Sequence, residues 1–157
     1  MEGLGFSHNK LKYIPNIFNA KSVYVMGSVD FSYNKIGSEG RNISCSMDDY
    51  KGINASTVTL SYNEIQKFPT ELFATGSPIS TIILSNNLMT SIPENSLKPK
   101  DGNYKNTYLL TTIDLRFNKL TSLSDDFRAT TLPYLSNMDV SYNCFLSLIH
   151  ISEPTRP

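Results

Sequence analysis

The chain lacks several features that mark particular classes of protein. It contains no tryptophan, and its 157 residues include only two cysteines, Cys45 and Cys144. Two cysteines are too few for a disulfide framework, and they do not show the paired Cys/His spacing of a zinc site. We therefore expect neither a disulfide-stapled domain nor a structural metal site.

An excess of one charge is also missing. Fourteen Lys and Arg residues balance fourteen Asp and Glu residues, so no net positive field is present to attract nucleic acid or an anionic membrane. The longest apolar runs are a few residues, far short of the roughly 20 that cross a bilayer. We expect no nucleic-acid partner and no membrane insertion by this segment.

What the chain does contain is a repeated phrase, in which apolar residues at alternating positions lead to an asparagine and then to another apolar residue. The clearest copy runs from Leu110 to Leu120. Six copies, of which the two nearest the start are weaker, place asparagines at 9, 34, 63, 87, 118 and 143. Successive asparagines are therefore 25, 29, 24, 31 and 25 residues apart.

The phrase predicts a short strand followed by a turn. Side chains in a strand alternate between faces, so Val58 and Leu60, like Ile113 and Leu115, point to one side, into a core. Each asparagine follows the end of a strand, where a buried amide can satisfy backbone groups of its own turn and of the neighbouring one. We therefore predict that the asparagines are structural and not catalytic.

These copies closely resemble the leucine-rich-repeat family over about residues 1–148. The resemblance implies an α/β solenoid, a right-handed superhelix with a curved parallel β-sheet on its concave face and short helical turns or loops on its convex face. It implies one domain of about six repeats. The spacing from an asparagine to a following proline, as in Asn63 to Pro69, resembles that of extracellular or bacterial surface members, so we expect an extracellular or cell-surface location.

The segments between the phrases are predicted to form the back of the solenoid. A proline or serine that starts a single helical turn precedes a short apolar group at four places: Pro15, Pro69, Pro93 and Ser124. We expect Phe18, Phe73 and Phe127 to stack there as a core spine. The polar stretches at about 37–54 and 98–108 are predicted to be loops on the back or rim.

The two ends of the array lack the capping units with a polar outer face that repeat arrays need, so we expect a piece of a longer protein. Residues 149–157 have no periodicity and resemble translated sequencing-adapter read-through, and we exclude them from the fold prediction.

Cys45 and Cys144 fall about four strand spacings apart, roughly 19 Å, whereas a disulfide needs Cα atoms within about 7 Å. We therefore expect free thiols.

Residues at equivalent positions of successive copies form columns across the sheet. The column before each asparagine is rich in aromatic residues: His8, Tyr33, Tyr62, Asn86, Phe117 and Tyr142. Aromatic anchors are enriched in binding hot spots. The alternative is that the rings cover the asparagines and pack on one another. We predict binding roles for Tyr33, Tyr62, Phe117 and Tyr142, with Tyr62 and Phe117 the strongest candidates.

A second column, between the core positions, carries charge. Asp114 and Asp139 are predicted to be adjacent like charges, with Arg116 close enough to relieve their repulsion. We include all three in the predicted binding surface. A calcium site here would need more oxygen ligands than these residues supply.

Catalytic motifs are missing. Nucleophilic catalysis needs a base beside a Ser or Cys, and the two histidines, His8 and His150, lie in a truncated phrase and in the tail. No glycine-rich phosphate loop or nucleotide-binding motif is present. We expect no enzyme and no cofactor.

The leading hypothesis is a scaffold that binds a protein or peptide on its concave face. A glycan is a second candidate ligand, because aromatic faces beside carboxylates also suit sugars. The alternative function is a structural spacer or sensor arm of a larger surface protein whose activity lies outside this chain.

Overall fold

The computed structural model of the chain describes residues 2–15, 27–43, 53–73, 78–97, 109–127 and 132–145. Six three-residue strands lie in these ranges: β1 Gly3–Gly5, β2 Ser28–Asp30, β3 Thr57–Thr59, β4 Thr81–Ile83, β5 Thr112–Asp114 and β6 Asn137–Asp139. They form one parallel sheet in chain order, from β1 to β6. Each strand is the centre of one copy of the repeated phrase, which confirms the predicted solenoid.

The strand register aligns equivalent residues of successive repeats, so the core is built of columns. The central residue of each inner strand is buried: Val29, Val58, Ile82 and Ile113. The apolar residue two positions later is buried with it: Phe31, Leu60, Leu84 and Leu115. The predicted alternation is confirmed in these strands. Leu4 of β1 and Met138 of β6 are only partly buried, because among the described strands each has a neighbour on one side only.

The connections behind the sheet contain little helix in the parts that the structure describes. There, three short 3-10 turns span Ser38–Gly40, Thr70–Leu72 and Asp125–Phe127. Pro69 precedes the second of them, as predicted, with a φ of −77°, the value that the proline ring imposes. The helical turn predicted at Ser124 is also present. However, the Ser124 hydroxyl is buried without a hydrogen-bond partner in the described part of the chain, so it does not cap the turn; the Phe127 N–H bonds the Ser124 carbonyl instead.

Two of the three phenylalanines predicted to form a core spine, Phe73 and Phe127, lie in the described residues. Phe73 is buried and its ring stacks on that of Phe68 at 6.0 Å, whereas Phe127 is partly buried at the edge of the core. Phe18 lies outside the described residues, as do Cys45, residues 98–108 and the tail at 149–157. Cys144 is exposed and its thiol is free. None of the helices in the described ranges has the length and apolar character needed to cross a bilayer.

Candidate functional site

An asparagine ladder fixes the backbone on which the candidate site is built. The Asn63 amide nitrogen donates to the carbonyls of Phe31 at 3.0 Å, Leu60 at 3.1 Å and Ser61 at 3.2 Å. Its side-chain oxygen accepts the N–H of Ile36 at 3.0 Å. The same arrangement recurs in neighbouring repeats, at Asn34, Asn87, Asn118 and Asn143. These hydrogen bonds agree with the structural role predicted for the asparagines.

The residue before each ladder asparagine has a left-handed backbone. Its φ lies between +54° and +57° in all six copies: His8, Tyr33, Tyr62, Asn86, Phe117 and Tyr142. Bulky residues seldom adopt this conformation. Cross-strand hydrogen bonds hold it here, for example from the Tyr62 N–H to the Ser85 carbonyl at 3.1 Å. Because the backbone geometry repeats, the side chains of this column leave the solenoid in the same direction.

The rings of this column, which we call the aromatic column (His8, Tyr33, Tyr62, Phe117 and Tyr142), stack face to face. Ring centroids are 4.4 Å apart for His8 and Tyr33, 4.4 Å for Tyr33 and Tyr62, and 4.3 Å for Phe117 and Tyr142. Exposure is nevertheless 45% for Tyr33, 47% for Tyr62, 45% for Phe117 and 71% for Tyr142. The rings therefore pack on one another, as the alternative interpretation predicted, and still present a large apolar surface to solvent.

Asn86 interrupts the aromatic column. It occupies the position between Tyr62 and Phe117, is half-buried, and has the same backbone conformation as they do. In the described part of the chain its side chain makes no hydrogen bond, and no ring contact joins Tyr62 to Phe117. The column consequently divides into a stack of three rings and a stack of two.

The predicted charged cluster is brought together beside the aromatic column. Asp114 and Asp139 are register partners on β5 and β6. The Asp114 carboxylate accepts two bonds from the Arg116 guanidinium, from Nε at 3.0 Å and from Nη2 at 2.8 Å. Arg116 Nε also lies 3.6 Å from Asp139 Oδ2. Because Asp114 is buried, its part is to position Arg116, whereas Arg116 and Asp139 are open to solvent.

Both exposed members of the cluster are charged at neutral pH. Hydrogen bonds from the Ser141 hydroxyl at 2.7 Å and the Ser141 N–H at 3.0 Å, together with nearby Arg116, lower the pKa of Asp139. The bonds to Asp114 raise the pKa of Arg116. The cluster of two carboxylates and one guanidinium therefore has a net charge of −1.

A shallow depression of about 570 Å³ lies on the outward face of β4 to β6. Its lining mixes apolar and polar side chains, among them Ile83, Thr112, Asp114, Arg116, Asn137 and Asp139. In the ranges that the structure describes, no group of three or more His, Cys, Asp or Glu residues could hold a metal ion. The depression can offer hydrogen bonds and charge to a ligand.

Sequence analysis did not single out Glu71, a buried carboxylate in the turn Thr70–Leu72. Its Oε1 accepts the Ile43 N–H at 3.3 Å, and burial raises the pKa of its carboxyl group. With Arg41, Lys67 and Thr70 it lines a cavity of about 290 Å³. The sequence signal that could have identified this buried carboxylate is an acidic residue inside the apolar group Phe68 to Phe73.

Two solved structures are similar to this chain. A leucine-rich repeat protein from Bacteroides thetaiotaomicron is 95% identical over 99% of this chain, with a TM-score of 0.84. A leucine-rich repeat protein from Bacteroides eggerthii is 64% identical over 90% of this chain, with a TM-score of 0.83. The chain spans 18% and 23% of their respective lengths. No protein-family model and no curated protein matches the chain.

Proposed function

Because the chain belongs to the leucine-rich-repeat proteins by its repeats, its fold and its likeness to the two Bacteroides proteins, we propose that it is a protein-interaction scaffold. It binds a protein or peptide on the outward face of the sheet, which is the concave face of a leucine-rich-repeat fold, and on the adjoining aromatic column. It performs no catalysis itself.

The observation that carries this proposal is the exposure of the aromatic column. Tyr33, Tyr62, Phe117 and Tyr142 each keep 45% or more of their surface open, although their backbones are fixed by the asparagine ladder. Aligned aromatic rings on a rigid backbone supply contact area with little loss of conformational entropy on binding. Exposed apolar surface gathered on one part of a protein in this way is typical of an interaction site.

The charged cluster supplies the polar part of the proposed surface. Protein interfaces combine apolar anchors with a polar rim, and rim charges select among partners and set the rate of encounter. Arg116 and Asp139 lie in the depression on β4 to β6 with their charges held by hydrogen bonds. They are suited to orient a partner whose apolar groups contact the neighbouring rings.

Affinity capture from extracellular and cell-surface material tests the proposal. The bait is the chain and, separately, the chain with Tyr62→Ala and Phe117→Ala. Tyr134→Ala is the matched control, because Tyr134 is 64% exposed and lies outside the aromatic column. We expect the double variant, checked by circular dichroism to be folded, to lose a partner that the wild type and the control retain. Equal capture by all three baits would contradict the proposal.

A structural spacer or sensor arm is the second candidate function. It is supported by the small share of the two Bacteroides proteins that the chain spans and by the stacking of the rings on one another. If the chain is a spacer or sensor arm, the double variant has a lower free energy of unfolding than the wild type, and neither of them captures a partner. The capture experiment combined with urea denaturation of the same proteins separates the two functions.

The proposal includes an extracellular or cell-surface location, supported by the resemblance of the asparagine-to-proline spacing to surface members of the family. Digestion of intact producing cells with a protease that does not cross membranes should remove the protein. Protection from the protease until the cells are lysed would exclude this location. A glycan is the alternative ligand, and a glycan array probed with the wild type and the double variant tests it.

A further inference from the structure

Asn86 takes the place of one ring in the aromatic column. Neighbouring strands are about 4.8 Å apart, which places the Tyr62 and Phe117 rings, two strands apart, roughly 10 Å from each other. The existing rings stack at 4.3 to 4.4 Å. The distance between the Tyr62 and Phe117 rings is therefore about twice the distance between stacked rings. One planar group fits between them in contact with both ring faces.

The open part of this gap, which we call the slot, is bounded by the Tyr62 and Phe117 rings and lies above the Asn86 side chain. An asparagine side chain is shorter than a tyrosine or phenylalanine ring, so the outer part of the gap stays open. The side-chain amide of Asn86 makes no hydrogen bond within the described residues. Its oxygen and its N–H donors are therefore available to an occupant.

The walls of the slot favour a planar cation. The face of an aromatic ring carries the negative part of its quadrupole, so two facing rings attract positive charge between them. On the sheet side, Asp114, Arg116 and Asp139 sum to a charge of −1, with Arg116 already bound to Asp114. Glu64 and Lys119, each two residues after a ring position in the sequence, have opposite charges. The formal charges of these five residues sum to −1, and Arg116, whose charge also acts on Tyr62, is paired with Asp114 and Asp139.

We propose that the slot binds the guanidinium group of an arginine side chain presented by a protein partner. Guanidinium is flat, so it contacts both ring faces at once, and its N–H groups reach an acceptor such as the Asn86 oxygen in its own plane. A lysine ammonium is compact and strongly hydrated and makes these contacts less well. The proposal rests on the proposed function, since it names one anchoring residue of the protein ligand.

Short capped peptides with one central arginine, citrulline, lysine or tyrosine test the occupant directly on the wild-type chain. Binding is followed by NMR through the ring resonances of Tyr62 and Phe117. Citrulline keeps the planar shape of arginine without its charge. We expect the arginine peptide to bind at least about fivefold more tightly than the citrulline peptide, the loss of about one cation–π contact. Equal or tighter binding of citrulline or tyrosine, or no binding of arginine, would overturn the proposal.

Substitutions at the slot test its position. Asn86→Tyr supplies the missing ring and should abolish binding of the arginine peptide. Asn95→Tyr is the matched control, because Asn95 is exposed and also has a positive φ, 62°, outside the column. Tyr62→Leu keeps an apolar side chain without the ring face and should weaken binding about fivefold. Unchanged binding in Asn86→Tyr or Tyr62→Leu, with both variants folded, would show that the slot is not the site.

The outcome of this test is separable from that of the proposed function. If Asn86→Tyr still captures the partner that Tyr62→Ala with Phe117→Ala loses, and the arginine peptide does not bind, the surface is an interaction site and the guanidinium assignment is wrong. If no bait captures a partner while the arginine peptide binds in the slot, the protein-interaction function fails.

Discussion

Each ladder asparagine makes hydrogen bonds that a three-residue strand leaves unmade. The chain turns sharply after every strand, and among the described residues the carbonyl of Leu60 accepts no backbone N–H. There the Asn63 side chain donates to three backbone carbonyls and accepts one backbone N–H, from groups in two repeats. A buried polar group without a partner lowers stability by about 1 to 3 kcal/mol, which explains why each copy of the phrase carries this residue.

Replacing Asn63 with alanine should lower the free energy of unfolding by about 3 kcal/mol or more, because several buried backbone groups lose their partner together. Asn9→Ala is the control, since Asn9 is exposed and, among the described residues, its amide donates only within its own turn, to Phe6 and Ser7. Its effect should be about 1 kcal/mol or less. Urea denaturation of both variants measures the difference, and equal losses would contradict the structural role of the ladder.

Glu71 makes stability depend on pH. Burial raises the pKa of its carboxyl group in the folded chain above the usual 4.5, so the folded state holds a proton that the unfolded state releases. The contribution is fully present below pH 4.5 and is lost as the pH rises through the raised pKa. Glu71→Gln removes this loss and can still accept the Ile43 N–H. We expect the variant to be more stable than the wild type at pH 7 and to show a flatter profile above pH 4.5; coincident profiles in thermal denaturation would contradict this.

At the scale of elements, β3 to β6 are each held at both ends by a polar column. Hydroxyl groups donate to the preceding repeat where the strands begin, as from Ser56 to the Gly27 carbonyl at 2.8 Å and from Thr111 to the Ser80 carbonyl at 3.0 Å. Asparagines do so where the strands end. These two columns hold three-residue strands in register although each strand is too short to do so by its own backbone pairing.

The alternation of faces within a strand predicts losses of stability of different size at two neighbouring isoleucines of β4. Ile82 is 0% exposed, so Ile82→Ala leaves a cavity and should lower the free energy of unfolding by about 2 to 5 kcal/mol. Ile83 points outward into the depression, so Ile83→Ala should lower it by less than about 1 kcal/mol. Chemical denaturation compares them, and similar losses would mean that the strand does not separate its faces in this way.

At the scale of the whole molecule, the described sheet is held together by contacts between sequence neighbours. Strand contacts join β1 to β2, β2 to β3 and so on to β6, with none between more distant strands among those described. Stability in such an array is close to a sum of repeat and nearest-neighbour terms. A local defect should consequently weaken adjacent repeats more than distant ones.

Hydrogen exchange of the Ile82→Ala variant measures this locality. The backbone amides of β3 and β5, which pair with β4, should lose more protection than those of β1, three repeats away. The Ile83→Ala variant is the control and should leave the pattern near that of the wild type. A uniform loss of protection from β1 to β6 would show that the sheet opens as one cooperative unit.

The sequence by itself determined the repeat architecture. Val58 and Leu60, Ile113 and Leu115, and the asparagine after each pair recur with a spacing that suits one strand and one turn per repeat, and the columns follow from stacking those repeats. The approach of Arg116 to Asp114 and Asp139 could be predicted because register alignment makes equivalent positions neighbours.

Only the tertiary structure decided how these columns are used. Whether rings stack, stay exposed or leave a gap depends on a left-handed backbone at Tyr62 and its equivalents, which cross-strand hydrogen bonds impose against local preference. The burial of Asp114 and of Glu71 likewise depends on atoms from other repeats. Periodic patterns specify which residues are neighbours, whereas the exposure and charge of a surface arise from distances between repeats that no local segment contains.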